Sequence, residues 1–74
     1  MQKSGVFLIH TLRHRESGRE LKVRAEDSGK LTALSGFDGE FIWSHEFEKT
    51  VLQVLDGKES SFELLRTGAG IAVG

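Results

Sequence analysis

The 74-residue chain has no cysteine and no proline, and its apolar runs are short. Without cysteine there can be no disulfide, no thiolate nucleophile and no thiolate-ligated zinc. A domain of this size buries only about 60% of the surface its unfolded chain exposes, so its stability margin is thin. Small domains usually offset this with a disulfide, a metal or a partner subunit. With His10, His14 and His45 as the only imidazoles, close packing or self-association is the expected route. The lack of thiols fits a cytoplasmic protein.

The absence of proline leaves every backbone N–H able to pair, and nine glycines punctuate the chain instead. The early apolar run, Val6–Ile9, is shorter than the roughly 7–15 residues of a signal-peptide core. No run approaches the ~20 residues that cross a bilayer. The chain therefore reads as unsecreted and not membrane-embedded. It contains no repeat, linker or low-complexity tract, and residues 1–74 read as a single domain.

Charged residues make up 28% of the chain and apolar ones 38%, a globular rather than disordered balance. The net charge of −1 hides a division. Residues 1–30 carry seven cations against four anions, and residues 31–74 carry three against seven. This division predicts either a basic face for an anionic partner or attraction between the two halves, within one fold or across a dimer.

Gly5 to Arg15, with Val6, Phe7, Ile9 and Thr11, reads as a strand. Glu16–Arg19 is a turn around Gly18. Glu20 to Glu26 alternates, with Leu21, Val23 and Ala25 on one side and Lys22, Arg24 and Glu26 on the other. The two segments form a hairpin. Asp27–Lys30 is a second turn, Leu31–Ser35 a third strand, Gly36–Gly39 a turn or bulge, and Glu40–Trp43 a short fourth strand. Ser44 is a good N-cap, Glu46 and Glu48 suit a helix N-terminus, and Phe47, Val51, Val54 and Leu55 form an apolar stripe. A helix is predicted over 45–56, stopped by Gly57. Ser60–Leu65 fits a fifth strand or a second short helix. Thr67–Gly70 should break it, and Ile71–Val73 forms a last short strand or trails off.

The expected fold is α+β: a small, mostly antiparallel sheet of four to five strands with one helix packed on a face. Leu21, Val23, Leu31, Ala33, Phe41 and Trp43 are the candidate floor for the helix. The first strand is apolar on both sides, with Phe7 and Ile9 pointing one way and Val6 and Leu8 the other. A sheet with one wet face does not need this. Either the C-terminal segment (Phe62, Leu65, Ile71) covers the surplus, or Val6 and Leu8 pack on a second subunit.

Chemistry-bearing motifs are weak. His10 and His14 stand four apart, but on a strand that separates them by about 13 Å, too far to share an ion. His45, Glu46 and Glu48 are better explained as helix-opening residues than as an acid–base set. No serine lies in G-x-S-x-G. Gly29–Thr32 lacks the upstream glycine and the Ser/Thr of a phosphate loop. The glycines at 68–74 lack the following helix that a dinucleotide motif requires. No cofactor or metal is expected. The expected function is a non-enzymatic interaction or regulatory module that binds a protein partner, including itself as a homodimer. The alternative is a nucleic-acid-binding regulator using the basic hairpin of Arg13, Arg15, Arg19, Lys22 and Arg24.

Overall fold

The computed structural model describes residues 5–72. In it the chain forms β1 (Gly5–His14), β2 (Glu20–Glu26), β3 (Leu31–Ser35), α1 (His45–Leu55) and β4 (Phe62–Ala72). The strands make one antiparallel sheet in the order β3-β2-β1-β4, so the fold is α+β as the sequence pattern implied. Two turns fold as expected. The β1–β2 turn closes with the Gly18 amide donating to the His14 carbonyl at 2.8 Å, and Gly18 takes φ +78°. Ser44 caps α1, its hydroxyl accepting from the Phe47 amide at 3.1 Å.

Two expectations are corrected. Glu40–Trp43 is not a strand. Arg19 reaches across from the β1–β2 turn and donates to the Gly36 carbonyl at 2.6 Å. It also meets the carboxylate of Asp38 at 2.6 Å and that of Glu40 at 3.8 Å. Tied this way, the 36–44 segment turns Phe37, Phe41 and Trp43 towards the core instead of pairing its backbone. The fourth strand is built from the C-terminus, where Thr67–Gly70 does not interrupt it. Residues 62–72 pair continuously with β1, with one irregularity at Leu65, between the Leu12–Leu64 and Thr11–Arg66 pairs. The Phe7 ring overhangs Gly70, occupying the space a side chain there would need.

Cross-strand register assigns the faces. Leu12 lies opposite Leu21, His10 opposite Val23 and Leu8 opposite Ala25. With alternating side chains, Val6, Leu8, His10 and Leu12 therefore share the helix-bearing face. Its core is Leu12, Leu21, Val23, Leu31 and Phe62 under Val51 and Val54 of α1. The predicted stripe on α1 is borne out, with Phe47 and Leu55 packed at its margin. Leu12 and Phe62 join Leu21, Val23 and Leu31 in the floor, Phe41 and Trp43 pack against it, and Ala33, also expected there, is not part of the cluster.

The helix is too short for the sheet. Its 11 residues span about 16 Å, whereas the ten residues of β1 extend about 33 Å. The loops that enter and leave α1 both sit at the His14 end of β1, so the helix seals that end. Leu12, Leu21, Val23 and Val51 are fully buried, while Val6 and Leu8, at the other end of the same face, remain 51% and 41% exposed. The C-terminal segment does not cover them, because β4 lies beside β1 in the plane of the sheet.

Gly36 and Gly18 both have positive φ, but only Gly36 is crowded. A Cβ there would stand 2.5 Å from the Glu20 carbonyl oxygen and 3.0 Å from Leu21. Gly18→Ala should cost about 1–2 kcal/mol from backbone strain alone. Gly36→Ala should cost roughly 3 kcal/mol or more, because overpacking is added. Urea unfolding of the two variants checks the difference.

Candidate functional site

The fold places the sequence-nominated basic residues in different settings. Arg13 donates to Glu63 at 3.1 Å across the β1–β4 pair. Arg15 lies 4.0 Å from the same carboxylate and donates to the Ser60 carbonyl. Arg19 is held by Asp38 and Glu40 and lies over the Phe41 ring. Its hydrogen bond keeps the Asp38 carboxyl below the ordinary carboxylate range. Three of the five hairpin cations are thus paired with acids from the second half of the chain, which is the attraction between halves that the charge division allowed.

Lys22 and Arg24 differ. Both lie on the face of the sheet opposite α1, where Lys22 is opposite Thr11 and Arg24 opposite Ile9. The Arg24 guanidinium sits 4.1 Å from the centre of the Phe7 ring, and its buried Nε has no hydrogen-bond acceptor among the described residues. Arg66 was not nominated from the sequence, yet it stands opposite Thr11 on the other flank of β1. Only the register of β4 brings it there, and no sequence signal announced that register.

The histidines do not converge. His10 is buried on the helix-side face and shares a 2.9 Å hydrogen bond with the Thr67 hydroxyl. His14 is half-buried. Its ring packs against Phe41 and Phe62, with centres 5.1 and 4.9 Å away, and its Nδ1 meets the Ser17 hydroxyl. His45 pairs with Glu48 at the exposed start of α1. Among the described residues, no three His, Asp or Glu side chains gather as a metal site, and no helix is long and apolar enough to cross a membrane.

Two surfaces therefore stand out. One is the uncovered apolar end, Val6 and Leu8, continuous with the outer edge of β4. The other is the open face with Lys22, Arg24 and Arg66. Comparison with protein-family models, curated proteins and solved structures returned no significant match.

Burial lowers the His10 pKa from its ordinary value of 6.5. The neutral ring is favoured in the fold, so the unfolded chain takes up the proton first. Stability from this group is complete above about pH 6.5 and is lost as pH falls through the window below it. Thermal unfolding should move to lower temperature between about pH 7.5 and pH 5.5. His10→Gln should flatten that dependence, and a wild-type profile already flat over this window would contradict it.

Proposed function

We propose that this protein is a non-enzymatic interaction module whose partner is a second copy of itself. The observation that carries the reading is the exposure of Val6 and Leu8 on the face whose other end fully buries Leu12, Leu21 and Val23. Contiguous apolar surface of this kind is normally closed by a partner. The adjacent β4 edge supports the same reading. It is 11 residues long, and from Thr67 to Ala72 it bears no charge and no proline. Natural edge strands that stay unpaired are usually short, charged or interrupted.

An antiparallel pairing of two β4 edges is self-complementary about a two-fold axis normal to the sheet, which keeps both helices on one face and sets the partner's helix-bearing end alongside the Val6 and Leu8 end. Such a pairing would run for about 36 Å along β4. The hairpin alternative is weaker, because Arg13, Arg15 and Arg19 already have carboxylate partners.

Light scattering across a broad concentration range should give twice the chain mass. Val6→Glu with Leu8→Glu should raise the dissociation constant at least tenfold, as should Ala69→Lys on the edge, each with an unchanged circular dichroism spectrum. A wild-type chain that stays monomeric at the highest concentration would overturn the reading.

A further inference from the structure

We infer that the sheet face opposite the helix binds single-stranded nucleic acid, with Lys22, Arg24 and Arg66 taking phosphates on either side of β1. This surface is separate from the uncovered apolar end, and the inference does not depend on self-association.

Cross-strand register orders the face into rows. Glu20, Arg13 and Glu63 form one row; Lys22, Thr11 and Arg66 the next; then Arg24, Ile9 and Gly68; and last Glu26, Phe7 and Gly70. The two outer rows contain every carboxylate on β1, β2 and β4 that faces this way. The two middle rows contain three cations and no acid. Among the described residues, no carboxylate lies within ion-pair distance of Lys22, Arg24 or Arg66. Cations on β2 and β4 flank β1 about 10 Å apart, two strand spacings, and successive rows stand about 6.7 Å apart. The result is a cationic strip: Lys22 and Arg66 are exposed, Ile9 is half-buried between the rows, and Thr11 is covered by its neighbours.

Two features favour a nucleic-acid strand over an acidic peptide. Arg24 is already stacked at 4.1 Å from the Phe7 ring centre, so its guanidinium plane is preorganised as a platform for a base. On the β4 side Gly68 and Gly70 project no side chain, and nothing in the fold fills the space over Gly68, so a flat ring can approach the backbone there. Arg suits both phosphate and stacking contacts.

Neutralising three phosphates of a single strand gives a log–log salt slope near −2. Fluorescence anisotropy with a labelled oligothymidylate of about twelve nucleotides should therefore show affinity falling roughly a hundredfold for a tenfold rise in salt. Lys22→Gln with Arg66→Gln should cut the slope to about −0.7, whereas Arg13→Gln with Arg15→Gln should leave it unchanged. Thermal melts of these surface variants confirm folding. No binding at low salt would overturn the inference. So would a slope unaffected by Lys22→Gln with Arg66→Gln, or equal displacement by polyglutamate.

Discussion

The contact between Leu12, Leu21 and Val23 of the sheet and Val51 and Val54 of the helix is the one on which the rest of the molecule depends. It is the only place where two layers close on each other among the described residues. It lies at one end of a sheet roughly twice as long as its helix. The aromatic cluster of Phe37, Phe41, Trp43, Phe47 and Phe62 thickens that end, with neighbouring rings about 5 to 6 Å apart, mostly edge-to-face or tilted. Sealing that end so thoroughly is what leaves the opposite one, with Val6 and Leu8, uncovered.

The electrostatics follow the same division of labour. The basic first half and acidic second half meet in the ion pairs Arg13–Glu63 and Arg19–Asp38. Exposed pairs of this kind stabilise weakly, but they place chain segments. Arg19 holds the 36–44 loop in the path that delivers its aromatics to the core, and Arg13 faces Glu63 where β4 begins. Lys22, Arg24 and Arg66, which have no carboxylate within ion-pair distance among the described residues, share the sheet face opposite the helix.

Much of the fold was legible in the sequence, and the failures have physical reasons. Alternation marked β2 because its two faces differ in solvent contact, and the 45–56 helix was marked by a cap, acidic first turn and apolar stripe that agree with one another. Glu40–Trp43 looked like a strand because its alternating aromatics suit one. Tertiary anchoring by Arg19 overrode that local preference. The glycines of β4 suggested a break, since glycine weakens an isolated strand, yet pairing along β1 and the Phe7 ring over Gly70 supply what the glycines lack. Of the candidate sites, the surplus apolar surface at Val6 and Leu8 was readable from β1 alone. Arg66 was not, because its position beside Thr11 depends on a long-range register.

The open end of the sheet and the β4 edge are the two surfaces that the proposed second copy of the chain would complete. Amide hydrogen exchange along Phe62–Ala72, followed at low and high protein concentration, tests this most directly. Half of these amides face β1 and half face outward. Pairing of two copies should slow the outward-facing amides markedly as concentration rises while those facing β1 stay the same. Outward-facing amides that exchange equally fast at both concentrations would contradict it.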